Sequence, residues 1–365
     1  MAKLQLGTAL CRKFRPHMFM ILVQICYTIL YFITEASFKH GLKPYVYVTY
    51  RHLVGTVFMF PFAYFLERAQ RPKLTLVLFL EISFLSLLGV GLPMNMYFMS
   101  LKYTSPTFVA STVNIIVPLT FVIAVVMRLE SLNHRHPRGI AKFSGTLISL
   151  SGVMTMALFK GPIVKQLWRP LIKIEASQTD DENHEKWVLG SILMVASCFI
   201  WSFWYIMQAL TLKRYPAQLS LTTWMSAIGT LQSTVFAIIV ERERTAWRIG
   251  FDIDLWSIIY GGVVISGFVI FIQLWCTEEK GPVFVTIFGP LTTIMVAFLA
   301  YFILGETLYS GSIIGAAFVV IGLYLLLWGK EGDGEEAVGV KPEETHPSYS
   351  SSEQIEIDRQ KALSA

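Results

Sequence analysis

Two stretches of the sequence begin with the same dipeptide and end with the same dipeptide. Residues 55–68 read GTVFMFPFAYFLER, and residues 229–242 read GTLQSTVFAIIVER, at an offset of 174 positions. Each stretch is an apolar run that closes with Glu-Arg, as expected where a membrane helix meets the polar surface. The pair predicts a chain built from two similar halves.

Further matches follow in the same order through both halves, which favours a genuine repeat over chance. They are, at offsets of 176 and then 170, Gly91 with Gly267, Pro106 with Pro282, Phe108-Val109 with Phe284-Val285, Glu130 with Glu306, Gly145 with Gly315, and Gly152 with Gly322. The change in offset indicates a six-residue insertion in the first half before its last apolar run.

The composition places these halves in a membrane. Of the 365 residues, 54% are hydrophobic and 15% are charged, whereas an ordinary soluble domain has about 45–50% apolar and about 25% charged residues. The same figures exclude a disordered chain and a disulfide-stapled secreted domain. The net charge of +5 gives no reason to expect a nucleic-acid partner.

Ten apolar runs are long enough to cross a bilayer as helices, which satisfy their backbone polar groups internally. They are residues 17–38, 45–66, 76–100, 106–129, 139–159, 187–210, 218–240, 255–276, 282–304 and 311–328. The predicted fold is therefore an all-α polytopic membrane protein. Its predicted segments are a cytosolic N-terminus (1–16), a first five-helix repeat (17–159), a polar loop (160–186), a second five-helix repeat (187–328) and a disordered cytosolic tail (329–365).

Five spans per repeat is an odd number, so the second repeat enters the membrane from the opposite side. Inverted repeats of this kind are found in many secondary transporters, where the two halves alternate between inward-open and outward-open shapes. With a cytosolic N-terminus, 18 of the 30 Lys and Arg residues fall on the inner side. This bias agrees with the positive-inside rule and predicts that both termini are cytosolic.

Several motifs in this frame resemble one family of plant transporters. The residues that carry the resemblance are Tyr50-Arg51-His52, Pro61-Phe62-Ala63, Arg71-Pro72-Lys73, Thr104-Ser105-Pro106-Thr107-Phe108, Lys160-Gly161-Pro162, Gly281-Pro282-Val283-Phe284-Val285 and Leu304-Gly305-Glu306. The chain resembles the EamA-type, nodulin-21-like, Walls-Are-Thin-related (UMAMIT) family of the drug/metabolite transporter superfamily. The resemblance covers residues 15–330 and implies ten helices and the transport of amino acids or related metabolites. Some relatives handle auxin, and many carry a basic residue where this chain has Glu35.

Polar side chains inside the spans are the candidates for substrate binding, because they are costly in a bilayer. Amides suit a zwitterion, since they donate and accept without charge. Aromatic residues of the sixth span offer a side-chain pocket or a cation–π surface. The candidates are Gln24, Tyr31, Asn95, Asn114, Trp201, Tyr205, Gln208 and Gln273. Interhelical hydrogen bonding and packing are their alternative roles.

Two prolines predict helix breaks in corresponding spans of the two repeats. Pro118 interrupts the fourth span and Pro290 the ninth. Proline removes a backbone donor and frees a carbonyl one turn earlier, and interrupted helices in both halves are a pointer to a transporter site. Simple packing kinks are the alternative.

Charged residues near one face are candidates for a gate or proton relay. Glu35 lies late in the first span, and Arg51 and His52 lie early in the second, so an ion pair or gate between them is one hypothesis and a structural pair is the other. In the last span, Gly311-x-x-x-Gly315 favours close packing within the monomer, and a homodimer face is the alternative.

The sequence therefore predicts a secondary carrier or facilitator for amino acids or similar solutes. No ATP-binding loop and no H-E-x-x-H motif is present, so no cofactor, metal or catalytic residue is predicted. The alternatives are an auxin or other metabolite carrier of the same family and an intramembrane enzyme. The resemblance implies the plasma membrane, with the vacuolar membrane as alternative.

Overall fold

The computed structural model describes residues 2–68, 71–104, 109, 112–130, 136–158, 184–303 and 310–339. Over these residues the secondary structure is helical, with no β-strand. The motifs at residues 105–108, 160–162 and 304–306 lie outside them.

The first repeat contains six α-helices in the described ranges. They are α1 (Ala2–His40), α2 (Pro44–Leu66), α3 (Leu76–Ser86), α4 (Leu92–Tyr103), α5 (Ile116–Val126) and α6 (Pro137–Leu158). A π-helical segment, Leu87–Gly91, joins α3 to α4, and a 3₁₀ turn, Val113–Ile115, precedes α5.

The second repeat contains seven α-helices in the described ranges. They are α7 (His184–Arg214), α8 (Gln218–Val240), α9 (Ile253–Ile259), α10 (Ile270–Lys280), α11 (Pro282–Ile287), α12 (Gly289–Ile303) and α13 (Ser310–Gly339). A π-helical segment, Tyr260–Val269, joins α9 to α10. Helix α13 continues through Gly339, so residues 329–339 of the predicted disordered tail are helical here.

Seven stretches within the described helices are long and apolar enough to cross a membrane. They are Phe14–His40, Leu76–Leu101, Trp187–Arg214, Gln218–Val240, Ile253–Lys280, Pro282–Leu299 and Ile313–Lys330, with Val113–Val126 as a shorter apolar helix. The other predicted spans correspond to α2, which carries Arg51 and His52, and α6, which carries Arg138 and Lys142. The count of ten membrane spans therefore stays a prediction.

The last helices of the two repeats, α6 and α13, cross through reciprocal glycine contacts. A Cβ on Gly152 would lie 2.6 Å from the carbonyl oxygen of Gly315, and a Cβ on Gly322 would lie 2.6 Å from that of Gly145. The offset of 170 that relates Gly152 to Gly322 also relates Gly145 to Gly315. Such an exchange of partners is the signature of a two-fold axis. Gly315 is thus used for packing within the chain.

The second helix of each repeat makes a related contact with the other half. In the first repeat, a Cβ on Gly55 of α2 would lie 2.9 Å from the Cβ of Ser266, in the π-helical segment of the second repeat. In the second repeat, a Cβ on Gly229 of α8 would lie 3.3 Å from Val90, in the π-helical segment of the first. The offset of 176 relates Val90 to Ser266, so this contact also obeys the two-fold relation.

A buried ion network joins the repeats at the end of the bundle that the charge distribution predicts to be cytosolic, here called the inner end. Glu130, after α5, bonds Lys142 of α6 at 3.3 Å and Lys330 of α13 at 2.6 Å. Glu130 and Lys142 are almost fully buried. Two cations on one carboxylate fix the inner ends of three helices relative to one another.

Candidate functional site

Polar side chains from both repeats meet inside the apolar bundle. Gln24 of α1 is 3% exposed, and its Oε1 accepts a 2.6 Å hydrogen bond from the hydroxyl of Thr292 in α12. Thr292 lies two residues after Pro290, at the start of a helix that follows the break between α11 and α12. The broken helix therefore brings a hydroxyl to the centre of the molecule.

A phenol–amide cluster extends this polar centre. The amide of Gln273 in α10 interacts with the hydroxyls of both Tyr27 in α1 and Tyr205 in α7. Gln273 is 2% exposed, yet its Oε1 has no hydrogen-bond partner among the described residues. Buried polar atoms are nearly always hydrogen-bonded in proteins. An acceptor without a donor is available to the N–H or O–H group of a solute.

Arg51 lies above this cluster, towards the opposite or outer end. Its Nε donates a 3.0 Å hydrogen bond to the hydroxyl of Ser266, in the middle of the apolar stretch Ile253–Lys280. Tyr27 lies close enough to Arg51 for an electrostatic interaction between the phenol and the guanidinium. Tyr27 thus links the guanidinium above to the Gln273 amide below.

The predicted pair between Glu35 and Arg51 is not formed. Glu35 instead bonds Lys39, one turn further along α1, at 2.7 Å. The reason is geometric: a partner four residues away on the same helix is always within reach, and Arg51 is turned into the bundle. His52 is also buried, and neither ring nitrogen has a hydrogen-bond partner in the described ranges.

Two other candidates are engaged in hydrogen bonds within or between helices. The Asn95 amide donates to the Gly91 carbonyl of its own helical stretch. Asn114 exchanges hydrogen bonds of 3.2 and 3.3 Å with the hydroxyl of Thr293, next to Thr292. Asn114 sits in the 3₁₀ turn before α5, whose first turn holds Pro118. It therefore joins the irregular segments of two repeat-related spans.

The aromatic candidates divide between the interior and the surface. Trp201 donates from its indole to the carbonyl of Gly89 at 3.2 Å, within the π-helical segment of the first repeat. The ring of Tyr205 packs on Trp204 at 4.8 Å between centroids. Tyr31 is 37% exposed and lies on the outside of the bundle. Tyr27, one turn earlier on α1, is the tyrosine that faces the polar centre.

Gln208 of α7 lies next to a residue that lines a cavity at the inner end. It is fully buried, and both atoms of its amide have no hydrogen-bond partner within the described part of the chain. The neighbouring residue, Ala209, lines a cavity of about 200 Å³ together with Lys213 and Glu278. Gln208 is thus one residue away from a cavity whose lining carries both signs of charge.

A polar clasp closes the outer end between α1 and the loop before α9. Nδ1 of His40 lies 3.2 Å from a carboxylate oxygen of Asp254 and 3.6 Å from one of Asp252. The hydroxyl of Ser37 donates to Asp254 at 2.5 Å. These His and Asp ligand atoms lie within 4.8 Å of one another, the spacing of a metal site. The hydrogen bonds of Asp254 with Ser37 and His40 already account for its carboxylate, and Asp252 caps α9 by accepting from the backbone N–H of Asp254.

Sequence reasoning missed four residues of the polar centre. They are Tyr27, Tyr47, Ser266 and Thr292. Hydroxyls are common in membrane helices, where they bond their own backbone, so they carry a weak sequence signal. A usable signal existed only for Thr292, because it follows the predicted break at Pro290.

A helical bundle with two-fold-related halves, interrupted helices and a polar centre has the architecture of a secondary membrane transporter. A family model described as the EamA-like transporter family matches residues 15–158 and 188–328, one match per repeat. The chain belongs to the EamA-like transporter family. It is an integral multi-pass membrane transporter, and these matches indicate transport of a small-molecule solute rather than enzymatic catalysis.

Relatives and a solved structure agree with this assignment. The chain is 39% identical over 339 residues to the WAT1-related protein At1g21890 of Arabidopsis thaliana, covering 90% of this chain and 87% of the relative. It is 40% identical to the WAT1-related protein At4g08300 of the same plant, covering 90% of each chain. A solved crystal structure, 14% identical, shares the fold with a TM-score of 0.62 over 86% of this chain and 98% of that one. The predicted family is therefore confirmed.

Proposed function

We propose that the protein is a secondary carrier or facilitator of amino acids or related small organic metabolites. The observation that carries this proposal is the phenol–amide cluster of Tyr27, Tyr205 and Gln273, in which the Gln273 amide oxygen has no donor among the described residues. A solute with an ammonium or hydroxyl group supplies that donor. Neutral amides and phenols bind such groups without placing a further charge in the membrane.

Transport proceeds in this proposal by alternating access. The reciprocal contacts of Gly152 with Gly315 and of Gly322 with Gly145 allow one repeat to rock against the other with similar packing in both directions. The cavity beside Lys213 and Glu278 is then the inner entrance. The clasp of His40 with Asp254 closes the outer entrance. The proposed location is the plasma membrane, with both termini in the cytosol.

Flux through reconstituted vesicles tests the proposal. Purified protein in liposomes is assayed for uptake and efflux of labelled amino acids and indole-3-acetate, with and without a proton gradient. We expect at least one amino acid to cross about tenfold faster than in empty liposomes. Flux that matches empty liposomes for every solute contradicts the proposal, and preferential flux of indole-3-acetate favours the auxin alternative.

A further inference from the structure

The strongest unexplained feature of the interior is the charge of Arg51. Its side chain is 7% exposed and it lies in a helix packed among apolar spans. In the described part of the chain, its one hydrogen bond goes to the neutral hydroxyl of Ser266, and no carboxylate pairs with it. A charged side chain buried inside a membrane span is costly and calls for a functional explanation.

Two other buried cations of the protein are compensated. Lys142 and Lys330 share the carboxylate of Glu130. The fold evidently places carboxylates opposite cations where a structural ion pair is needed. The lack of one at Arg51 therefore needs a different explanation.

The fold itself does not require a cation at this position. The offset of 174 that relates Gly55 to Gly229 also relates Arg51 to Met225. Met225 is 4% exposed and occupies the same place one turn before the glycine contact. An apolar side chain thus completes the equivalent packing in the second repeat, so packing does not explain the charge of Arg51.

The surroundings of Arg51 are closely packed and rich in hydroxyl groups. The side chain passes over Gly261, where a Cβ would lie 3.1 Å from its Cδ and would collide with the hydroxyl of Tyr47. The Tyr47 hydroxyl is buried beside Arg51 and Ser257 and interacts with both side chains, although neither contact has the geometry of a full hydrogen bond. Among the described residues, the well-formed hydrogen bond of Arg51 is the one from its Nε to Ser266. Arg51, Tyr47 and Tyr27 thus form one group of donors from α1 and α2.

A carboxylate fits this set of donors better than other groups. The guanidinium presents two parallel N–H donors that match the two oxygens of a carboxylate. The phenol of Tyr47 adds a further donor. An anion that enters the site also neutralises the charge that the protein leaves uncompensated.

We propose that Arg51, with the hydroxyls of Tyr47 and Tyr27, binds the carboxylate of the transported solute. This inference rests on the proposed function and narrows it: the cargo is a carboxylate-bearing organic solute, and Arg51 is the residue that selects it. The Gln273 amide then faces the remainder of the solute, including the ammonium group of an amino acid.

Three variants separate this role from a structural one. Arg51→Met copies the repeat-related residue, Arg51→Lys keeps the charge but loses the planar fork, and Lys39→Met removes an exposed cation as a control. In the ligand-free protein, we expect Arg51→Met to melt at or above the wild-type temperature, because it removes an uncompensated buried charge. A fall of several degrees in Arg51→Met, with Lys39→Met unchanged, overturns the proposal in favour of a structural cation.

Ligand binding supplies the second readout. Melting shifts of the purified protein are measured with the proteinogenic L-amino acids, with indole-3-acetate, and with the decarboxylated amine of each acid that responds. We expect carboxylate-bearing probes to shift wild-type protein, their amines to give no shift, and Arg51→Met to lose the response. Arg51→Lys should bind at least fivefold more weakly than wild type, which keeps the test valid if Arg51→Met does not fold.

The outcomes distinguish this inference from the transport proposal. Equal shifts with an acid and its amine, an unchanged response in Arg51→Met, or no shift with any carboxylate overturns the Arg51 site. Arg51-dependent shifts without flux into liposomes leave the site intact and contradict the carrier. Flux that is unchanged in both Arg51 variants supports the carrier and contradicts the site. For the carrier with this site, uptake by Arg51→Met is expected to fall at least tenfold.

Discussion

The two repeats make the same backbone contact at the centre of the molecule and equip it with different chemistry. In the first repeat, Gly55 packs on the π-helical segment of the second, and Arg51 lies one turn before it. In the second repeat, Gly229 packs on the π-helical segment of the first, and Met225 lies one turn before it. The packing obeys the two-fold relation, and the charge does not.

This difference corresponds to two requirements of a carrier, which are access states of similar free energy and a defined binding position. Symmetric packing gives the two access states similar contacts and therefore similar free energies. A single asymmetric charge gives the molecule one binding position instead of two equivalent ones. The glycines serve the conformational change in this view, while Arg51 and its hydroxyl neighbours serve recognition.

The largest expected effect comes from breaking the ion network that ties the repeats together. Glu130→Gln removes the carboxylate that Lys142 and Lys330 share, in a place where the Lys142 side chain is 2% exposed. Removing one partner of a buried pair typically costs about 3–5 kcal/mol. We expect a melting temperature far below wild type in detergent.

Glu35→Gln is the control, since its pair with Lys39 is exposed and worth about 1 kcal/mol or less. Similar melting of both variants would contradict the role of Glu130.

The symmetry of the packing is tested by a matched pair of glycine variants. A Cβ on Gly152 would meet Gly315 and Val319, and a Cβ on Gly322 would meet the related residues Gly145 and Ser149, all within 2.5–2.8 Å. We expect Gly152→Ala and Gly322→Ala to destabilise the protein equally, by about 1–3 kcal/mol each.

Gly289→Ala is the control for this pair, because a Cβ there has no atom within 4 Å. Its melting temperature should stay at or slightly above the wild-type value. Costs that differ between Gly152→Ala and Gly322→Ala by more than about 1 kcal/mol would show that the two contacts are not equivalent.

The chemical difference between the repeats is tested by replacing an amide side chain in the third predicted span and one in the eighth, and comparing the effects on uptake. Gln273 has an oxygen that receives no hydrogen bond from any described residue, whereas Asn95 bonds its own helix. We expect Gln273→Leu to lower the initial uptake rate about tenfold, or about 1.4 kcal/mol, and Asn95→Leu to lower it by a smaller factor. Melting curves check that both fold. A larger effect of Asn95→Leu would place the solute nearer the first repeat.

The smallest loss of stability is expected at the outer clasp. Among the described contacts, the inner end has no equivalent of this clasp. Ser37 is fully buried and donates to Asp254 at 2.5 Å, so Ser37→Ala should cost about 1 kcal/mol. Thr34→Ala is the control, because that hydroxyl bonds only the backbone of its own helix. If both alanine variants melt alike, the clasp contributes nothing to stability.

Periodic and repeated features were predictable from the chain. The matched Gly and Pro positions identified two repeats, and the break near Pro290 followed from the missing backbone donor of proline. The partners of the charged side chains were not predictable from the chain. Glu35 was expected to meet Arg51, but the structure pairs it with Lys39, because residues one turn apart on a helix need no particular tertiary arrangement to meet.

The membrane class, the helices and the two-fold relation follow from the sequence, because hydrophobic length and repeated small residues act through local geometry and close packing. Which polar residues share the interior depends on the tertiary packing. Tyr27 instead of Tyr31 faces the centre, and Arg51 meets Ser266 from the other repeat. These meetings depend on how helices rotate and cross, and several rotations satisfy the same apolar pattern in a bilayer, where lipid and protein interior are equally apolar.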